Sequence, residues 1–196
     1  PFLIVFEGVE GCGKSYQSQK LIRSLKKKGI NPILTREPGG TRSAESIRTL
    51  ILKDYFNKGK EEKFDKYTDT LLYLAARNEH IKNKIEPALK RKKVVICDRF
   101  IDSTIAYQVY GKKVNRSFID NIHKFILQGI KPNLVFILKV SSKSSKLRLK
   151  KRKIKNRYDN FSKSFYEKAQ KSFLKIAKNK KNYFVLDSSL NNNDLE

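Results

Sequence analysis

Residues 8–15 read GVEGCGKS, placing Gly8, Gly13, Lys14 and Ser15 at the spacing G-x-x-x-x-G-K-[ST]. The spacing has a mechanical meaning. Glycines let the backbone wrap so that successive N–H groups point at phosphate oxygens, and a helix opening at Lys14 adds the positive end of its dipole. Lys14 then reaches the β- and γ-phosphates, and the Ser15 hydroxyl can ligate Mg²⁺. An apolar run, Phe2 to Phe6, precedes the loop and a helical pattern follows it, which is the setting such a loop requires. The stretch Gly8, Val9, Glu10, Gly11, Cys12, Gly13, Lys14, Ser15 and Tyr16 is therefore the candidate ATP site.

Asp98 follows the buried run VVIC and takes the place of a Walker-B carboxylate, at the metal or the acceptor phosphate. Cys12 lies inside the loop and contributes its backbone, whereas Cys97 reads as core. Two cysteines make no disulfide framework and match no zinc spacing. His80 and His123 lie on helical patterns without ligand-spaced partners and read as structural.

The elements that must position these groups alternate. Phe2–Phe6, Ile30–Thr35, Val94–Cys97, Leu134–Val140 and Tyr183–Leu186 read as strands. Helices are expected over Lys14–Lys28, Ser43–Leu52, about Asp69–Lys90, Ile101–Tyr110 and Arg116–Gln128. Pro38 and two glycines make TREPGGT a shaped loop. Alternation of this kind implies right-handed crossovers and a parallel sheet with helices on both faces. Ser141–Asn160, rich in serine and lysine, reads as a basic linker or helix.

Lys and Arg number 44 against 19 Asp and Glu, a formal charge of +25. The cations are 33 Lys and 11 Arg, accompanied by 14 Asn and 18 Ile, all but Arg encoded by A/T-rich codons. The lysines are spread around several helices and are not interleaved with aromatics on one strand face. They read as a solvated surface that hastens the approach of anions, not as a dedicated nucleic-acid surface. No run of 18 apolar residues exists and the first residues lack a basic leader, so a soluble cytoplasmic protein is expected. A GTPase would need N-K-x-D; the nearest string, NKIE at Asn83–Glu86, ends wrongly and sits mid-helix. A small-molecule kinase, with extra arginines and a mobile basic segment to exclude water, fits the chain better. The rivals are another P-loop nucleotide or nucleoside kinase and a basic nucleic-acid-binding ATPase.

Five strings in order resemble the thymidylate kinases: FEGVEGCGKS at 6–15, TREPGGT at 35–41, LLYLAAR at 71–77, CDRFIDSTIAYQ at 97–108, and the arginine-bearing stretch around 148–157. The resemblance implies an α/β fold of the P-loop NTPase type, a five-stranded parallel sheet in order 2-3-1-4-5 with helices on both faces. It implies one domain over 1–196 with a lid near 141–160, and a homodimer. The implied reaction takes the γ-phosphate of ATP, with Mg²⁺, to the 5′-phosphate of dTMP, in dTTP synthesis.

Residue by residue, the resemblance assigns Glu10 to the 3′-hydroxyl of dTMP, Arg36 to its 5′-phosphate, and Glu37, with Ser15 and Asp98, to the metal and its waters. Tyr73 stacks on thymine and Arg77 meets the base edge. Asp98 and Arg99 form a pair serving metal and phosphate. Ser103, Thr104 and Gln108 read the imide, and Tyr107 crowds out a ribose 2′-hydroxyl. The loop has no arginine of its own, so Arg148, Arg152 and Arg157 in the lid are the candidates to meet the transferring phosphoryl group, Arg152 first. Asn156 before Arg157, and Phe100 after Arg99, depart from the family pattern.

Overall fold

A computed structural model describes residues 1–52, 63–150 and 162–189. The apolar run at the N-terminus becomes β1 (Phe2–Glu7), with residues from Leu3 onward buried. A strand buried on both faces must lie at the centre of a sheet. Accordingly β1 pairs in parallel with β3 (Val94–Asp98) on one side and β4 (Leu134–Lys139) on the other. The flanks are β2 (Ile33–Arg36) beside β3 and β5 (Tyr183–Asp187) beside β4, giving the order β2-β3-β1-β4-β5. The expected five-stranded α/β sheet is thus observed. Its order reverses at β1, and the crevice beyond the strands' C-terminal ends is where such sheets bind ligands. The register brings chemistry to that edge: Phe6 and Arg36 both align with Asp98.

The helices are α1 (Lys14–Lys27), α2 (Arg42–Leu52), α3 (Lys66–His80), α4 (Glu86–Lys90), α5 (Ile101–Thr104), α6 (Arg116–Leu127), α7 (Ser142–Lys150) and α8 (Lys163–Ala177). Leu3, Val95, Ile96, Val135 and Ile137 fill the core with almost no exposure, each burial contributing about 1.5–3 kcal/mol.

Several boundaries differ from the sequence reading, each for a local reason. Strand β2 begins at Ile33, not Ile30, because Pro32 has no N–H for the ladder and Ile30 N–H is used on Leu25 O at the end of α1. The long helix expected to Lys90 starts at Lys66, where the Asp65 side chain caps Tyr67 N–H. It widens into a π-helical stretch, Ile81–Ile85, before α4. Pro87 cannot donate into the ladder, and Glu86 N–H reaches back to Ile81 O instead. The helix expected over 101–110 is also part π-helical, at Ile105–Gly111. Helix α8 was missed altogether, although Phe165, Ala169, Phe173 and Ala177 recur every four residues and Ser162 caps Phe165 N–H. Of the basic segment, residues 142–150 are helix α7.

Candidate active site

The P-loop is shaped by what surrounds it. Gly8, at φ +137°, lies so close to β4 that a Cβ there would stand 2.6 Å from Leu138 O and 2.8 Å from Cys12 Sγ. Gly11, at φ +71°, similarly faces Ser145 O of α7 at 2.8 Å. No residue with a side chain fits either place, so these glycines are required by crowding as well as by conformation. Helix α7 is tied to the loop, with Ser145 Oγ donating to Glu10 O at 2.8 Å and Arg148 Nη1 to Gly11 O at 3.2 Å. Arg148 Nη2 also donates to Ser188 O beyond β5, at 2.7 Å.

Lys14 Nζ is buried and donates to Gly8 O at 3.0 Å, to Val9 O at 2.9 Å and to Cys12 Sγ at 3.5 Å. The thiol of Cys12, expected to be a bystander, is thus an acceptor for the loop lysine. Cys97 is core, with burial and then Glu37 pushing its thiol well above the ordinary range. Ser15 Oγ donates to Asp98 Oδ2 at 2.7 Å. Two hard oxygen donors from the loop and from β3 therefore meet, a set that suits Mg²⁺. Among the described residues no group of three carboxylate, His or Cys side chains could hold a metal alone.

A cavity of about 360 Å³ opens beside this pair and is lined by Glu10, Arg36, Tyr73, Arg99, Thr104 and Gln108, among others. Arg99, at the left-handed φ of 73°, is fixed by its own N–H bond to Phe6 O. Its guanidinium donates to Glu10 Oε1 at 2.6 Å, Gly8 O at 3.0 Å and Ser103 Oγ at 3.0 Å. The other oxygen of Glu10 accepts from Tyr107 Oη at 2.6 Å. Burial alone would raise the Glu10 carboxyl; Arg99, then Lys14 and Tyr107, outweigh it and hold it below the ordinary value. Tyr107 stacks on Phe165 of α8, the helix missed in the sequence.

Arg77 is buried and also expended on the protein. It donates from Nε to Glu37 Oε2 at 2.7 Å, from Nη2 to Phe100 O at 2.8 Å, and bonds through Nη1 to His123 Nε2 at 2.8 Å. Burial, then Arg77 and Arg116, lowers His123 to about 3. It is neutral at pH 7 and accepts from Arg77. His80 joins Glu37 Oε1 at 3.1 Å and Thr35 Oγ1 at 2.6 Å. Both histidines therefore hold site residues and are more than packing.

Two of the residues assigned by resemblance have protein partners here. Glu37, placed beside the metal by resemblance, has one oxygen on Arg77 and the other on His80, so it anchors an arginine. Ser103, expected at the imide, gives its hydroxyl to Glu7 and accepts from Arg99. Glu37 and Ser103 line the cavity, as do Tyr73, Thr104, Tyr107 and Gln108 and, near the loop, Tyr16. Arg152 and Arg157 lie outside the described residues.

Sequence reading missed Glu45 and Arg48. Glu45 binds Arg36 Nη2 through both carboxylate oxygens, at 3.1 and 3.2 Å, and accepts from Gly40 N–H. Arg48 lines the cavity and donates to Pro38 O at 2.6 Å. Burial, then the neighbouring Arg36, lowers its pKa, so the two cations repel. Their signal was present: 45 and 48 sit one helical turn apart on α2, just after the shaped loop.

A glycine cradle with its lysine, a serine–aspartate oxygen pair and converging arginines describe a site for two phosphate groups. Comparison with known proteins agrees. Residues 6–196 match the family model described as Thymidylate kinase. The chain belongs to the thymidylate kinase family. It is 45% identical over 177 residues to the thymidylate kinase of Wolbachia pipientis subsp. Culex pipiens, covering 89% of this chain and 80% of that one. With the thymidylate kinase of Geobacillus sp. (strain WCH70) it shares 41% over 174 residues, 88% and 80% of the two chains. The crystal structure of thymidylate kinase from Ehrlichia chaffeensis superposes with a TM-score of 0.76 at 34% identity, covering 100% of this chain and 91% of that one. The thymidylate kinase motifs read from sequence at 6–15, 35–41, 71–77 and 97–108 border or support one cavity, whereas much of the fifth, around 148–157, falls outside the described residues.

Proposed function

We propose that this chain transfers the γ-phosphoryl group of ATP to the 5′-phosphate of dTMP, giving ADP and dTDP, as one P-loop kinase domain with a lid near 141–160. The observation that carries the acceptor half is Gln108. Its Nε2 is buried against the cavity and has no hydrogen-bond partner among the described residues. A buried donor left unpaired costs about 1–3 kcal/mol, a cost that a base carbonyl entering the cavity would offset. Thr104 and Arg77 line the same cavity, and Tyr73 offers a ring to stack on.

At the other end, Arg36, Arg48 and Arg99 hold the acceptor phosphate and offset its repulsion from ATP. Glu10 accepts the 3′-hydroxyl, using lone pairs beyond those given to Arg99 and Tyr107. Tyr107 closes the space a 2′-hydroxyl would need. Ser15 and Asp98 would hold Mg²⁺, which would supply charge neutralisation to the nucleotide phosphates. Lys14 leaves the loop carbonyls for phosphate oxygens, and an arginine of the lid, Arg152 first among Arg148, Arg152 and Arg157, meets the charge that develops on the transferring group. The protein's work is placement and electrostatics, because the acceptor is already anionic.

A coupled ADP-release assay over dTMP, dUMP, UMP, CMP and thymidine tests this reading. The highest kcat/KM is expected for dTMP, with UMP far below dUMP and no transfer to thymidine. Preference for any other acceptor overturns the assignment. The rival ATPase reading predicts hydrolysis stimulated by DNA or RNA, which is not expected here.

A homodimer and a cytoplasmic location belong to the same proposal. No helix among the described residues is long and apolar enough to cross a membrane. Leu50 on α2, Leu71 on α3 and Phe125 on α6 are exposed, Phe125 by 78%, and α3 packs against both α2 and α6. Exposed apolar groups on neighbouring helices suit a self-association surface. Light scattering should give a dimer mass for the wild type and a monomer for Phe125→Asp; an unshifted mass puts the interface elsewhere.

A further inference from the structure

Glu7 ends β1 as the one charged residue of an apolar strand, and its side chain is fully buried. No role in the proposed chemistry falls to it. Its oxygens nevertheless make three bonds to the turn that carries Arg99. Oε1 accepts from Phe100 N–H at 2.8 Å and from Ser103 N–H at 3.1 Å. Oε2 accepts from Ser103 Oγ at 2.5 Å. That hydroxyl has only one hydrogen, so giving it to Glu7 leaves its lone pairs to Arg99 Nη1 at 3.0 Å. The helical stretch 101–111 begins at Phe100, whose side chain supplies no cap. Glu7 supplies the missing acceptor from the neighbouring strand.

We propose that Glu7 is a positioning residue for the acceptor phosphate: through the Ser103 hydroxyl and the Phe100 and Ser103 amides it sets the direction of the Arg99 guanidinium. The proposal rests on the dTMP kinase reading above. Arg99 is the group it acts through; Glu7 itself touches no substrate.

The surroundings of this carboxylate disfavour its charge. Burial and then the Asp102 carboxylate raise Glu7 from 4.5 to about 7, against the lowering effect of Ser103, Arg99 and Phe100. Asp102 of α5 is itself raised by burial, and Tyr183 of β5 is raised by burial and then by Asp102. Tyr183, then Lys180, Arg77 and Arg116, act on Asp102 in the lowering direction. A carboxyl raised in the folded state contributes stability below 4.5 that is lost as pH climbs towards 7. At pH 8 the ionisation of Glu7 therefore opposes folding relative to its neutral form.

Glu7→Gln keeps one oxygen for the two amides and replaces the oxygen facing Ser103 by a donor. In the full chain, KM for dTMP is expected to rise about tenfold or more, as misdirected positioning groups do. KM for ATP should stay within about twofold. The inhibition constant of thymidine, which has no phosphate for Arg99, should not change. The melting temperature at pH 8 should equal or exceed that of the wild type. Ser103→Ala, which removes the bridge and leaves both amide bonds, should show the same rise for dTMP and the same indifference for thymidine. An unchanged KM for dTMP overturns the proposal, as does a parallel loss for dTMP, thymidine and ATP with a lowered melting temperature. Failure of Glu7→Gln to fold leaves the decision to Ser103→Ala on the same criteria. A wild type that prefers another acceptor overturns the activity reading; wild-type KM for dTMP in the variants overturns this inference alone.

Discussion

Lys14→Ala is expected to lower kcat by at least ~10²–10³-fold while shifting the melting temperature by only a few degrees. The two halves of that expectation have separate causes. The ammonium rests on Gly8 O, Val9 O and Cys12 Sγ, so its three protons are occupied and ready to be exchanged for phosphate oxygens. Its loss removes the charge that meets the β- and γ-phosphates, and no other described cation is held inside the loop. The fold loses little, because Gly8 O also accepts from Arg99 Nη1 and Val9 O from Cys12 N–H. A net loss of about 1 kcal/mol corresponds to about 2–4 °C in a chain of this size. Steady-state turnover by ADP release and a thermal melt check the two halves independently. Near-normal turnover in a folded Lys14→Ala protein removes the P-loop from the mechanism.

What the sequence made legible was whatever is local. The P-loop spacing, the strands as apolar runs and the shaped loop at 35–41 depend on neighbours in the chain, and the observed β1, β3 and β4 differ from expectation by a residue at most. The sheet order came by resemblance, and the register that aligns Arg36 and Phe6 with Asp98 came only from the fold. Pairings across the chain were the part that could not be read. Arg77 and Glu37 are 40 residues apart, Glu7 and Ser103 are 96 apart, and nothing in either neighbourhood signals the partner. A charged residue closing a buried strand, or a histidine on an otherwise apolar face, is itself a hint that a partner must exist. Glu7, His80 and His123 carried that hint. Glu37 and Ser103 are of the same kind: resemblance assigns their chemistry towards substrate, and only the fold shows the side chains that hold their polar atoms. Helix α8 was missed for a simpler reason, since its lysines at 163, 168, 171 and 175 obscure a four-residue apolar repeat.

Arg99→Ala is the second large effect, and its size comes from two losses that can be separated. The guanidinium joins Glu10, Gly8 O and Ser103 Oγ, and both partners of the ion pair are mostly buried, at 15% and 12% exposure. Removing one member of a buried pair leaves the other charge unpaired, at a cost of about 3–5 kcal/mol. Left-handed strain at position 99 does not enter, because Ala and Arg both carry a Cβ. The second loss is the acceptor phosphate contact, expected to lower kcat/KM for dTMP by ~10²-fold or more. The double variant Arg99→Ala/Glu10→Gln distinguishes them. With no stranded carboxylate it should recover much of the melting temperature and none of the activity. The pH dependence has a definite sign. Glu10 is held below its ordinary 4.5, so the pair's contribution is present above that value and disappears as pH falls below it. The stability gap between wild type and Arg99→Ala should therefore be widest near neutrality and close in acid. A double variant no more stable than Arg99→Ala would show that the buried carboxylate is not the source of the loss. Activity returning with Glu10→Gln would mean that Arg99 serves only to neutralise Glu10, and the acceptor phosphate would then have to be held by Arg36 and Arg48 alone.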